Sequence, residues 1–207
     1  YSVDALYKTP IQAANAVFID GHKNIWIGGK DGYLTQIKPD NTLKSYPIKN
    51  VEAISELGPK QLIVATKSRV HSLNPYTGRI TDLTKLTAKA NMVYYGMNDL
   101  QITNQGIGLF ATEGAGLILY DFDRERTQQL STSDGLPSNN ILGVDWEHEG
   151  ATWITTDNGL AYYDQNTKDL RLFSELNGLS TNEITTGITK LRKEDLMFGS
   201  TKGLNIF

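Results

Sequence analysis

The side chains that do metal and proton chemistry are sparse in this sequence. Cysteine is absent, and histidine occurs three times, at His22, His71 and His148. No two histidines stand two or four residues apart, the spacings that bring a pair of imidazoles to one ion, so no metal site is expected. The lack of cysteine also removes a thiolate nucleophile and a disulfide scaffold. The run Asp121-Phe122-Asp123-Arg124-Glu125 holds three carboxylates. A calcium loop wants more oxygen ligands and a glycine, so the run reads as a solvated turn. A serine triad needs a nucleophile at a sharp turn with a histidine and an acid beside it, and no motif selects one. No glycine-rich loop opens a helix to cradle a phosphate. Neither a catalytic residue nor a cofactor is expected.

Binding chemistry is better represented. Tyr94 and Tyr95 lie in a long inter-element stretch, residues 84–97, together with Met92 and Met97. An aromatic pair in a loop can stack on a sugar or a base, or anchor a partner. Trp146 falls in the hairpin 145–150 and is expected to face solvent as a contact point. Asn139, Asn140, Asn182 and Glu183 stand just before apolar strands and could present amides or a carboxylate to a polar ligand. Such residues also cap loops through side-chain-to-backbone hydrogen bonds. These seven are the candidate ligand-binding residues.

Composition narrows the partners. Twenty Lys+Arg against 23 Asp+Glu give a net charge of −3. A nucleic-acid binder would need a basic stripe, so none is expected as a partner. Apolar residues at 39% and 19 glycines suit an ordinary globular domain of this length. No apolar run approaches the roughly 18 residues of a membrane helix, so direct membrane insertion is not expected. The first residues, Tyr1-Ser2-Val3-Asp4, lack the basic start and apolar run of a signal peptide. The expected reading is a mature or excised piece of something larger.

The elements that must position the candidate residues come from an internal repeat. Trp153-Ile154-Thr155-Thr156-Asp157-Asn158-Gly159-Leu160 recurs as Phe198-Gly199-Ser200-Thr201-Lys202-Gly203-Leu204 and as Trp26-Ile27-Gly28-Gly29-Lys30-Asp31-Gly32. Looser copies begin at Ile63 and Leu109. Each copy is two short strands around a tight turn, where glycine supplies the positive φ. An apolar strand precedes each copy, and another follows each of the first four. The periodicity is two throughout, with no sustained helical period. Four-stranded units at this spacing are the signature of an all-β β-propeller. About five blades are expected: residues 13–46, 50–83, 98–130, 139–173 and 182–207. Residues 1–9 are expected to complete the last blade as a fourth strand, with a fragment of a larger propeller as the alternative.

Gly135-Leu136-Pro137-Ser138-Asn139-Asn140-Ile141, then the Trp153 hairpin, then a Tyr-Asp pair resembles the two-component regulator propeller repeat. Gly178-Leu179-Ser180-Thr181-Asn182-Glu183-Ile184 with the Phe198 hairpin is a second match. Asp20-Gly21-His22-Lys23-Asn24-Ile25-Trp26 gives a third, without the preceding loop. The resemblance implies a non-catalytic, periplasmic sensor region of an inner-membrane hybrid histidine kinase or diguanylate cyclase. It implies a small-molecule ligand such as a saccharide at the propeller mouth, and adjacent receptor domains as partners. Oligomerisation would come through the parent receptor. Family propellers usually carry more blades than are counted here. Two other functions compete: a protein-docking scaffold, and a propeller lyase or glycosidase. Sialidase-type hydrolysis would need clustered arginines, and the six here are spread over different blades.

Overall fold

The computed structural model describes residues 13–30, 32–83, 96–147, 150–190 and 195–206. The alternation of apolar and polar residues resolves into antiparallel sheets whose strands pair in sequence order. Blade 1 is β1 (Ala14–Ile19), β2 (Ile25–Gly29), β3 (Leu34–Ile37) and β4 (Leu43–Tyr46). Blade 2 is β5 (Val51–Gly58), β6 (Gln61–Thr66), β7 (Val70–Leu73) and β8 (Ile80–Asp82). Blade 3 is β9 (Met97–Ile102), β10 (Ile107–Thr112), β11 (Leu117–Asp121) and β12 (Arg126–Leu130). Blade 4 is β13 (Ile141–Trp146), β14 (Ala151–Thr156), β15 (Gly159–Asp164) and β16 (Leu170–Phe173). Blade 5 shows β17 (Ile184–Lys190), β18 (Leu196–Ser200) and β19 (Gly203–Ile206). The first strands pack in series: β1 on β5, β5 on β9, β9 on β13 and β13 on β17. The chain is therefore an all-β, five-bladed β-propeller with its first strands innermost.

A single four-stranded sheet cannot cover both of its faces, and the seams between blades do so. Trp26, Tyr46, Val51, Ile54 and Leu62 fill the seam of blades 1 and 2. Ala53, Ile63, Leu100, Phe110 and Ile118 fill the next. Leu109, Leu136, Val144, Ile154 and Tyr163 follow, then Leu160, Leu179, Ile184 and Phe198. Each large side chain so buried contributes about 1.5–3 kcal/mol.

The two repeat tryptophans share one fixing contact. Trp26 Nε1 donates to Asp20 Oδ2 at 2.8 Å, and Trp153 Nε1 to Glu147 Oε1 at 3.1 Å. Each contact ties the start of a blade's second strand to the hairpin before it. Burial pushes the Asp20 carboxyl up, but donors from Trp26, Asn24 and His22 outweigh it and hold the group below its usual value.

The Gly-Leu loops also repeat in detail. Ser131 and Ser174 each open a short 3-10 turn, Thr132–Asp134 and Glu175–Asn177, with reciprocal capping. Gly135 and Gly178 close them at φ 104° and 102°, and Leu136 and Leu179 plug the seams. Asn139 Oδ1 accepts from Thr132 N at 2.8 Å, and Asn182 Oδ1 from Glu175 N at 2.9 Å. Each amide is thus a cap. Asn182→Ala should cost about 1 kcal/mol in a denaturant titration, and Asn139→Ala a similar amount, with no change in fold by circular dichroism.

The outward faces of the end blades carry exposed apolar side chains. Val17 and Ile19 of β1 are 66% and 60% exposed, and Leu204 and Ile206 of β19 are 61% and 59% exposed. No contact of comparable extent to the four seams joins β17 to β1 among the described residues. The expected fourth strand from residues 1–9 lies outside the described residues.

Candidate functional site

The inner strands carry the same irregularity. Near the start of each, one or more residues are pushed out of the ladder as a β-bulge. A bulge bends the strand and re-aims a side chain. The displaced residues are Asn15, Glu52, Asn98, Leu142 and, within a longer irregularity, Thr185. The residue after the bulge is small where the strands crowd the axis: Ala16, Ala53, Gly143 and, in the longer irregularity of β17, Gly187. A Cβ on Gly143 would stand 2.6 Å from Gly187 Cα. Small residues at the axis and displaced residues at the rim together form the channel mouth.

Two hollows open at that rim. One, of about 340 Å³, is lined by Lys67, Asn98, Glu113, Asn140, Leu142, Thr185 and Gly187. The other, of about 420 Å³, is lined by Lys30, Asn50, Glu52, Thr66, Lys67 and Ser68. They share Lys67, in the β6–β7 turn. Asn15 Nδ2 donates to Glu52 Oε2 at 3.0 Å, and Asn98 Nδ2 to the Ile141 carbonyl at 2.8 Å. Asn140 Nδ2 donates to Asp157 Oδ2 at 3.0 Å. Two acceptors at this rim, Glu52 Oε1 and Asn140 Oδ1, are shielded from water and have no donor among the described residues. An unmatched buried acceptor costs about 1–3 kcal/mol, which an incoming donor recovers.

Asp99 takes the place of the small residue in blade 3 and closes a seam instead. Its carboxylate accepts from Val144 N at 3.0 Å and from Leu100 N at 2.8 Å. Burial drives its pKa up to about 6, the two N–H donors pull it down, and the Asp145 charge adds to the rise. Asp145 is itself raised by burial, against the pull of Lys190, whose Nζ lies 4.0 Å away.

The seven expected residues separate. Asn140 lines the mouth. Asn139 and Asn182 cap their loops, as described. Glu183 accepts from Thr201 Oγ1 at 2.9 Å within its own blade. Trp146 ends β13, roughly 20 Å along the strand from Asn140. It is half-buried and packs against the core of blades 3 and 4. Tyr94 and Tyr95 lie outside the described residues. Sequence reasoning missed Asn15, Glu52, Lys67, Asn98, Glu113 and Thr185. The available signal for Asn15, Glu52, Asn98 and Thr185 was a polar residue recurring at the repeat spacing near the start of four of the inner strands. Among the described residues, no three His, Asp or Glu side chains are placed to hold a metal ion.

No family model matches the chain, and no curated protein does. Solved structures do. The extracellular domain of a hybrid two-component system of Bacteroides thetaiotaomicron is 20% identical over 94% of this chain, with a TM-score of 0.74. Virginiamycin B lyase of Staphylococcus aureus is 14% identical over 96%, with a TM-score of 0.71. An auxiliary nutrient-binding protein of B. thetaiotaomicron is 15% identical over 94%, with a TM-score of 0.63. The chain spans 27%, 66% and 57% of these proteins respectively. At such identities the likeness is one of fold.

Proposed function

We propose that this propeller is a non-catalytic, extracytoplasmic sensor region of a bacterial membrane-bound signalling protein, and that it binds a small polar ligand at the channel mouth. The observation that carries the reading is the bulge: inner strands turn Asn15, Glu52, Asn98, Leu142 and Thr185 out of their ladders at one rim, beside Lys67. Two acceptors there, Glu52 Oε1 and Asn140 Oδ1, have no donor among the described residues. A saccharide supplies hydroxyl donors in number, and amides, a carboxylate and an ammonium suit it on both sides of the exchange. Solved structures of extracellular two-component domains and of a nutrient-binding protein support a sensing role for the fold. A ligand would signal only through different affinities for two arrangements of the propeller against its neighbouring domain. Periplasmic placement, and partners among the receptor's other domains, belong to the same proposal.

Tyr94 and Tyr95 immediately precede Gly96, whose carbonyl accepts Glu113 N at 2.7 Å beside the mouth. The proposal includes them as a stacking pair. Thermal-shift screening against mono- and oligosaccharides tests it. A saturable rise in Tm is expected for at least one saccharide. Lys67→Ala combined with Asn98→Ala should weaken binding about tenfold or more. Tyr94→Ala with Tyr95→Ala should abolish the rise. An unchanged response in both variants removes the mouth from consideration.

A further inference from the structure

On the opposite side of the propeller from the mouth, blade 1 departs from the other blades at one position. The turn after each blade's third strand begins with a residue that accepts two backbone N–H groups in blades 2, 3 and 4. Asn74 Oδ1 accepts from Tyr76 N and Thr77 N, both at 3.0 Å. Asp121 Oδ1 accepts from Asp123 N at 3.0 Å and Arg124 N at 2.8 Å. Asp164 Oδ1 accepts from Asn166 N at 2.7 Å and Thr167 N at 3.2 Å. These are Asx turns, and they consume the side chain. Blade 1 has Lys38 there, with the same backbone link, Lys38 N to Thr42 O at 2.9 Å. Its turn is held differently, by Asp40 Oδ1 accepting from Thr42 N at 2.9 Å and by Asn41 at φ 65°. Lys38 is therefore relieved of the structural task.

Its surroundings are rich in donors. A cleft of about 310 Å³ at the seam of blades 1 and 2 is lined by Asp20, His22, Asn24, Gln36, Lys38, Lys44, Pro75 and Tyr76. Lys44 Nζ sits 4.8 Å from the centre of the Tyr46 ring. Gln36 Oε1 accepts from Tyr46 OH at 3.1 Å, so the side chain is fixed by its acceptor end. His22 Nε2 meets Tyr76 OH at 2.9 Å across the seam. The one carboxylate lining the cleft among the described residues, Asp20, is already engaged by His22 N, Asn24 N, Asn24 Nδ2 and Trp26 Nε1. Neither lysine has an ion-pair partner within 4.0 Å among the described residues, although Asp40 feels the Lys38 charge. Lys38 and Lys44 thus both line a hollow whose carboxylate already has its hydrogen-bonding capacity taken up by the protein.

We propose that this seam cleft binds a small anionic group, a carboxylate, sulfate or phosphate, between Lys38 and Lys44. Charge-assisted hydrogen bonds from the lysines supply most of the attraction. The site is independent of the mouth and of whether the mouth binds a saccharide.

The test is an amide and side-chain chemical-shift titration of the wild-type protein at low ionic strength. Inorganic phosphate, sulfate, acetate and glucuronate are the probes, and glucose is the neutral control. Saturable shifts are expected at Asn24, Gln36, Lys38, Lys44 and Tyr76 with the anions and not with glucose. Glucuronate binding more tightly than acetate would assign a sugar-borne carboxylate; equal affinity would assign the bare anionic group. Lys38→Gln with Lys44→Gln should weaken binding at least tenfold while leaving Tm within a few degrees, and Asn98→Ala at the mouth should leave it unchanged. The wild-type shifts stand as evidence even where the double variant fails to fold. Shifts that do not saturate, that follow glucose equally, or that map away from these residues overturn the proposal, as does full binding by the folded double variant.

Discussion

Gly143→Ala is expected to destabilise the propeller by about 2–4 kcal/mol, although it adds one methyl group. The Cβ would stand 2.6 Å from Gly187 Cα, 2.7 Å from Ile188 N and 3.1 Å from Gly187 C. All three atoms are backbone of the adjacent blade, so no side-chain rotation relieves the clash. Relief requires β13 and β17 to separate, which opens the seam held by Leu160, Leu179, Ile184 and Phe198. Gly58→Ala is the internal control. Its Cβ meets nothing within 4 Å, and the substitution should stay near neutral, within about 1 kcal/mol. Urea unfolding of the two variants measures the contrast. Equal midpoints would mean that the inner strands do not approach as described.

Asp99→Asn is expected to stabilise the protein at neutral pH by on the order of 1–2 kcal/mol and to flatten part of its pH profile. The folded-state pKa of Asp99, about 6, exceeds the ordinary 3.8 because burial opposes the charge. The folded protein therefore holds this proton more tightly than the unfolded chain. By linkage, stability is greatest below about pH 4 with respect to this group and falls as pH rises from there through 6. Leu100 N donates to Oδ1 and Val144 N to Oδ2, so asparagine removes the charge but keeps one acceptor of the two, and that loss holds the expected gain below the roughly 3 kcal/mol that the shift alone would give. The substitution also removes the repulsion between the Asp99 and Asp145 charges. The two proteins should converge below about pH 4, separate between about pH 4 and 6, and keep a constant difference above that. A variant less stable than wild type at pH 7 would show that the N–H donors outweigh burial. Asp20 should act in the opposite sense: its depressed pKa gives stability that is lost as pH falls through the folded value.

The sequence was informative where a residue's role follows from backbone conformation or burial. Glycine at the hairpin turn marked the second and third strands of blades 1, 3, 4 and 5, with tryptophan added in blades 1 and 4, while blade 2 carries Arg69 in place of the glycine. The matched Gly-Leu loops likewise correspond to two capped 3-10 turns of nearly identical geometry. Blade 3 was expected over residues 98–130, whereas β9 begins at Met97. The bulges inside the inner strands were not anticipated, and the bulge residue is the one that reaches the mouth. A bulge leaves no periodic signature, since it breaks the alternation on which strand reading depends. Asn139 and Asn140 show the same limit at single-residue scale. They are adjacent and chemically identical, yet one caps a loop and the other lines the cleft, according to which way the backbone presents each side chain. Trp146 has the composition of a contact residue but packs against a seam that only the assembled blades create.

The most direct test of the mouth assignment is a chemical-shift titration of the protein with the saccharide that gives the largest thermal shift, read at the side-chain amides. The account predicts saturable shifts at Asn15, Asn98 and Asn140, with those of Asn139 and Asn182 left in place. Shifts confined to the seams or to the opposite face, with Asn15, Asn98 and Asn140 unmoved at saturation, would contradict it.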